Sequence, residues 1–469
     1  MTRTPNARLQ SLLEAADWNR TQLARAVRRV AAENGRRLSC DHSTVSRWLA
    51  GTRPRPPADE LLLEALTRRL GYPVSGRDAG LTPCSPATGI DVFREPDPLR
   101  ALVRLAATEL VSPRRSELGE GVFSISALSQ PPAPPLPRRA AVSPPESGGW
   151  RAGGAEAAQM RAMTAAFAQA IESGGGRSVR TALTAYLARD VTGWLHHPAS
   201  QAAHRELLTA AAQLTLLLGN ACADCGDDAV AQRYHHTAAR LALEARHAAT
   251  SAIALRTMAT HAHDLGHRHP PVVNLARQAT DHARSSPPAV QAYSQAQLAV
   301  LEAQDDRHAA LKALSHAERL YEKSDAASGV FTTYPPGALH YQRAQTLATL
   351  GDHSGAADAL TLSLRLRAAG ERRAKILSHA RLAETLLRLG FLEEAISQWH
   401  AFLEGYPRLR SATAQRRIVG MRQLLTPHQR HGQASALMKR AASLPSHRHN
   451  DNARAMRSNS SDANGSTEL

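Results

Sequence analysis

The chain is poor in the residues that would staple a secreted domain or carry it through a bilayer. Its four cysteines, Cys40, Cys84, Cys222 and Cys225, are too few and too unevenly placed for a disulfide framework. The opening stretch MTRTPNARLQ lacks the apolar core of a signal peptide, and no uninterrupted apolar run reaches spanning length. No membrane role and no targeting segment are therefore expected. Lysine is scarce as well, four residues among the 57 that are Lys or Arg, so the formal net charge of +16 is carried almost wholly by arginine. That charge points to a polyanionic partner, and its placement says more than the total. Residues 1–80 hold 14 Arg, no Lys and 8 Asp or Glu, a net of 14 − 8 = +6 in about a sixth of the chain.

Catalytic signatures are missing too. There is no HExxH, no GxSxG and no dinucleotide fingerprint. The triple glycine at 174–176 lacks the Lys-Ser/Thr of a phosphate loop and follows no strand, so it reads as a turn joining helices. Cys222 and Cys225 form a single CxxC with no second pair at zinc-ribbon spacing, which suits two small thiols packed on a helix. His261, His263, His267 and His269 fall at one polar turn and read as exposed turn histidines; a metal site shared with the CxxC is the less favoured alternative. No cofactor, no metal and no enzymatic activity are expected.

At 469 residues the chain is long enough for two or three domains with a sizeable core. The first 81 residues carry the pattern of four short helices. Leu9, Leu12, Leu13 and Ala16 mark one amphipathic helix. Asn19 with Gln22 has the form of a capping box, and opens a second with Leu23, Val27, Val30 and Ala31 on one side and Arg25, Arg28 and Arg29 largely on the other. Asn34-Gly35 closes it. A third helix lies in DHSTVSRWLAG, residues 41–51: Asp41 is the N-cap, Gly51 the stop, and Val45, Trp48 and Leu49 the apolar face, leaving His42, Ser43, Ser46 and Arg47 outside. Short polar side chains around one arginine suit a major groove, and Arg53 and Arg55 follow in a Pro-stiffened turn where phosphates would lie. The plain alternative is a surface helix with a basic turn. Leu62, Leu63, Leu66 and Leu70 mark the fourth helix, stopped by Gly71.

The stretches LAR at 23–25 and STVSRWLAGTRPRP at 43–56 resemble the repressor-type (Xre/Cro-like) helix-turn-helix family. By position, that resemblance implies base reading by His42, Ser43 and Arg47, with Arg20 at a helix N-terminus facing phosphate beside Thr44, Arg53 and Arg55. From Leu23 to Val45 the chain spends about eleven residues more than the family's compact turn, so either the second helix is longer or the turn makes an excursion through Arg36 and Arg37. AGTRPRPP, RRLGYPVS and GGGRSVRTALTAYLARDV further resemble actinobacterial regulators of the NsdA-like type, a helix-turn-helix joined to tetratricopeptide-like repeats. That resemblance implies repression of developmental or secondary-metabolite genes.

Residues 82–154 read as a Pro/Gly/Ser-rich linker. Within it Leu99–Leu110 has the period of one short helix packing back on the head, and VFSIS at 122–126 reads as a single strand. A polyproline stretch of this length would let the head reach tens of ångströms away. From 155 to 444 the pattern is helical and Ala/Leu-rich. Helix, polar turn, helix recurs five times about Gly226, Gly266, Gln304, Gly351 and Gly390, at spacings of 40, 38, 47 and 39. Ala229, Ala231, Ala356 and Ala395 let paired helices approach, while Tyr234 and Trp399 fill the grooves between units. Residues 155–171 and 174–195 form an opening helix pair, and 445–469 a disordered tail. The expected fold is thus all-α: a helix-turn-helix domain (1–81), a Pro-rich linker, and a tetratricopeptide-like α-solenoid (155–444) with a concave face.

The functional expectation is a sequence-specific transcriptional regulator, cytoplasmic and nucleoid-associated, that binds double-stranded DNA and uses its repeats for a protein, peptide or small-molecule effector. Homodimerisation is left open. The alternative is a tetratricopeptide-like interaction scaffold without DNA binding.

Overall fold

The computed structural model describes residues 4–72, 74–81, 93, 95–111, 118, 121–129, 152–324, 331 and 333–444, and every regular element among them is helical. The expected tail (445–469), Cys84 and the Pro-rich run 131–149 lie outside the described residues.

Four helices build the head: α1 (Ala7–Ala15), α2 (Arg20–Glu33), α3 (His42–Leu49) and α4 (Ala58–Leu70). Local chemistry sets their ends. Asn19 Oδ1 accepts from the Gln22 N–H at 2.9 Å while Gln22 Oε1 accepts from the Asn19 N–H at 2.8 Å, which completes the capping box of α2. Gly35, Gly51 and Gly71 take left-handed φ values of +66°, +94° and +76° just past α2, α3 and α4, a conformation cheap only without a Cβ. The apolar stripes then close on one core of Leu9, Leu23, Val27, Val45, Trp48, Leu61 and Leu66. The extra length between Leu23 and Val45 is shared: α2 has 14 residues, and the turn 34–41 carries a buried Cys40 that returns it to the core. Burial pushes the Cys40 thiol up to about 11, Asp41 beside it adding to the shift.

Two elements of the expected linker behave differently from their sequence reading. α5 (Pro98–Leu110) forms as expected, yet it packs on the solenoid and not on the head, with Leu99, Leu102 and Leu105 buried beside Leu183 and Leu187. Its Glu109 explains the choice, accepting from Arg180 Nε at 2.5 Å and from the Tyr234 hydroxyl at 2.6 Å inside the repeat core. VFSIS is not a strand. Residues 121–124 are irregular and α6 (Ile125–Ser129) follows, because the backbone N–H groups of 122–125 donate to side chains on both sides instead of to a neighbouring strand.

α7 (Gly154–Gly174) opens the repeat body. α8 (Arg180–Tyr186) follows, continued through a π turn (Leu187–Val191) into α9 (Thr192–His196). Six helix pairs come next: α10 (Gln201–Cys225) with α11 (Asp228–Glu244), α12 (Ala248–Asp264) with α13 (Pro270–Ala283), and α14 (Pro288–Glu302) with α15 (Arg307–Glu322). Then come α16 (Pro336–Thr349) with α17 (His353–Leu366), α18 (Arg372–Arg388) with α19 (Leu392–Gly405), and α20 (Ala412–Leu425) with α21 (Gly432–Ser443). All five turn residues picked from the sequence sit between the two helices of a pair; the sixth pair turns at Thr426–His428. Ala231, Ala356 and Ala395 are fully buried at the pair seams, as are Tyr234 and Trp399. α10 is long and apolar enough to cross a membrane by length and composition alone, and 72% of its most apolar window is buried inside the molecule.

The first helices of successive pairs line the inner face, and the array closes on itself: α18 packs on α7, and α20 on α10. The triple glycine is the seam. The Arg410 N–H donates to the Gly174 carbonyl at 2.9 Å, and Gly176 N–H, Ser411 Oγ (2.7 Å) and Arg373 Nη2 (2.6 Å) converge on the buried Asp224 carboxylate. A Cβ on Gly176 would stand 2.5 Å from the Ala221 carbonyl oxygen, so backbones meet there only because the side chain is missing.

Candidate nucleic-acid interface

α3 turns Val45, Trp48 and Leu49 into the head core and leaves His42, Ser43 and Arg47 exposed, with Thr44 and Ser46 half-buried between them. Its N-terminus is organised by one oxygen. Asp41 Oδ1 accepts from the Thr44 N–H, the Thr44 hydroxyl and the Ser43 hydroxyl, each at 2.8 Å. Those three bonds, the Thr44 N–H foremost, hold the Asp41 carboxyl far below the usual carboxylate range.

This arrangement decides what Ser43 and Thr44 have left to offer. A hydroxyl has one proton, and both have given theirs to Asp41, so each presents only acceptor lone pairs outward. Thr44 spends a lone pair on Arg47, whose Nη2 donates to it at 3.1 Å. A relay therefore runs from Asp41 through Thr44 to Arg47 and steadies the guanidinium on the exposed face. In this geometry Thr44 positions Arg47 and has no proton free for a phosphate oxygen.

Arg20, at the first position of α2, reaches across to α3 and donates to Ser46 Oγ at 3.2 Å, while Ser46 donates to the His42 carbonyl at 2.9 Å. Sequence reasoning put Ser46 on the polar face without a role; here it ties the two helices together. After α3 the Thr52 N–H returns to the Arg47 carbonyl at 2.8 Å, and a buried Pro54 pins the turn so that Arg53 and Arg55 are exposed on either side of it. Arg20, His42, Ser43, Arg47, Arg53 and Arg55 thus all stand on the exposed surface of α2, α3 and the following turn.

The other end of α2 is built into the body. Glu64 on α4, buried, accepts from Arg68 Nε (2.7 Å), the Ser124 hydroxyl (2.7 Å) and the Ile125 N–H (2.8 Å). Asn34, capping α2, accepts from the Phe123 N–H at 2.9 Å, and Glu60 from the Val122 N–H at 3.1 Å. From the solenoid side Gln232 on α11 pairs with both backbone groups of Ser124, at 2.8 and 2.6 Å. The segment 121–125 is therefore a shared strip between head and repeats.

Phe123 closes the joint against two of the sequence's histidines, edge-on to His261 at 5.2 Å and stacked on His267 at 5.2 Å with an interplanar angle of 9°. The expectation that these turn histidines are exposed is wrong for both, which are buried; the partner ring, 138 or more residues upstream, gives no local signal. Burial lowers the His267 pKa from 6.5 to about 4. Cys222 is fully buried and Cys225 half-buried, their thiols pushed up by desolvation, as packing residues would be. Among the described residues no group of three His, Cys, Asp or Glu is disposed to hold a metal ion.

Compared with known proteins, residues 9–82 match the family described as the SP15 N-terminal domain, a match that coincides with the four-helix head and its exit. No curated protein matches the chain.

Proposed function

We propose that the chain is a sequence-specific transcriptional regulator that binds double-stranded DNA through α3, acting as a repressor of developmental or secondary-metabolite genes like the NsdA-like regulators it resembles. One observation carries the reading: an arginine held by the Asp41–Thr44 relay stands on the exposed face of a helix whose opposite face is buried, with Arg20, Arg53 and Arg55 around it. A guanidinium fixed in this way suits the O6/N7 edge of guanine. Ser43, limited to accepting, suits the amino group of cytosine or adenine. Arg20, Arg53 and Arg55 carry the phosphate contacts, and the protein works in the cytoplasm on the nucleoid, with the repeats receiving an effector or partner. No catalytic step is assigned.

Two substitutions separate reading from gripping. Arg47→Ala is expected to cost about 1–3 kcal/mol on the preferred site and to flatten the preference at one or two base pairs, while affinity for random duplex changes little. Arg53→Ala is expected to weaken specific and random binding alike and to reduce the salt slope by about one. Genome-wide mapping of bound DNA supplies the site, and fluorescence anisotropy at several salt concentrations reads both effects. If both variants bind every duplex as the parent does at low salt, the scaffold reading replaces this one.

A further inference from the structure

The closed array surrounds a chamber of about 890 Å³, within the size range of small-molecule sites. Its lining carries five guanidinium and five carboxylate groups. Three pairs cancel: Arg373 with Asp224 (2.6 Å), Arg417 with Glu384 (2.9 Å) and Arg367 with Glu371 (2.6 Å). Arg256, on α12, is different. Among the described residues it forms no ion pair, its guanidinium lies 3.8 Å from the centroid of the Tyr293 ring, and it is 6% exposed.

Around it the wall holds polar groups without a hydrogen-bond partner among the described residues. Tyr293 meets Tyr334 edge-on at 5.0 Å, and the Arg256 and Arg367 guanidiniums are both close enough to act on the Tyr334 phenol. Arg256 Nε, Arg367 Nε and the Tyr334 hydroxyl are buried donors without an acceptor, and Gln342 Oε1, in the same wall, is a buried acceptor without a donor. A buried polar group left unpaired is unfavourable, and four of them in the wall of one chamber mark it as a site for complementary atoms. Three unpaired donors, two of them on guanidiniums, suit an anionic acceptor. Arg416, the other lining guanidinium without an ion pair among the described residues, is exposed, and Glu172 and Asp264 are the matching carboxylates. One buried uncommitted guanidinium in a lining of balanced charge suits a single negative charge and not a polyphosphate. Tyr293, Phe331, Ile253 and Leu377 supply apolar wall for the remainder.

We infer that this chamber binds an organic monocarboxylate with an aromatic or branched apolar body and an N–H or O–H donor. Its carboxylate sits on Arg256, Arg367 and Tyr334, and its donor meets Gln342. The ligand class deepens the effector half of the proposed function and rests on that half alone, since binding in the chamber requires no DNA contact. A free small acid and the C-terminus of a short peptide share this chemistry, and the test has an arm for each.

The full chain is titrated, by calorimetry and native mass spectrometry, with indole-3-acetate, 4-hydroxyphenylacetate and N-acetylphenylalanine. The peptide Ala-Ala-Phe is the second arm, and the primary amide of each probe is run beside it. The expected result is one-to-one binding by at least one acid or by the peptide, with its amide weaker by roughly tenfold or more. Tyr334→Phe is expected to raise the melting temperature of the unliganded protein, because an unpaired buried hydroxyl is gone, and to weaken the binding probe by about tenfold. Arg256→Gln should abolish binding. If no probe binds, if amides bind as tightly as acids, or if Tyr334→Phe binds unchanged, the inference is overturned. Acid binding that leaves operator affinity unaltered would support the chamber assignment and remove the effector role, so the two readings fail separately.

Discussion

Arg47 is one arginine among many in the head, and its distinction lies in a neighbour three residues back. Helical periodicity places His42, Ser43 and Arg47 outside and Trp48 inside, because i, i+3 and i+4 share a face. It does not say which hydroxyl gives its proton to Asp41, since that depends on side-chain rotamers at the helix start. Thr44, expected at phosphate, stands in the structure between Asp41 and Arg47, bonded to both. Trp48 belongs to the other face, 5% exposed among Leu23, Val27 and Leu62. Trp48→Ala is expected to cost about 3–5 kcal/mol and to unfold the head, because the cavity it leaves cannot be refilled in a four-helix core. Hydrogen exchange should then rise across α1–α4 and stay as it was in α16–α21; unchanged exchange in α2 and α3 would show that Trp48 is not part of the head core.

At the scale of elements, the length of α2 and its turn is explained by what each end does. Its N-terminus brings Arg20 to α3, and its C-terminal cap, Asn34, grips Phe123 of the strip against the solenoid. A compact turn would not reach both. The joint also has a pH dependence whose sign follows from His267. Burial, with Arg68 and His269 nearby opposing the charge and Glu33 and Glu64 favouring it, lowers its pKa to about 4 from 6.5. A neutral ring is the form that stacks on Phe123, so its contribution is whole above pH 6.5 and is lost as pH falls from there towards 4. At pH 5 the loss is about 2 kcal/mol, at roughly 1.36 kcal/mol per unit. Hydrogen exchange of residues 121–129 should therefore accelerate between pH 7 and pH 5 after correction for intrinsic rates. In His267→Phe, which keeps a ring without a proton site, that acceleration should be smaller; an equal acceleration would assign the effect to another group.

For the whole molecule, head and repeats are joined by side chains from three separated stretches of sequence. The linker was expected to cut two bodies apart, yet Glu64, Asn34 and Glu60 hold 122–125 from one side and Gln232 from the other. Limited proteolysis within the Pro-rich run 131–149 should consequently leave the two fragments together on gel filtration. Glu64→Ala, which strips acceptors from Ser124, Ile125 and Arg68 at once, should speed hydrogen exchange across 122–125, while α5, docked through Glu109, keeps the fragments together. Unchanged exchange at 122–125 in Glu64→Ala would mean the strip does not depend on this carboxylate.

The sequence by itself determined the helices, their caps and glycine stops, the pairing about Gly226, Gly266, Gln304, Gly351 and Gly390, and the exposed face of α3. Each of these depends on residues a few positions apart, where spacing and cap chemistry act directly. Only the tertiary structure decided that the repeats close on the triple glycine, that α5 turns to the solenoid through Glu109, that Phe123 finds His267, and that Arg256 faces the chamber unpaired. Closure depends on the rotation accumulated over successive helix pairs, and each of the other contacts joins groups 37 or more positions apart in the chain, so no local pattern encodes them.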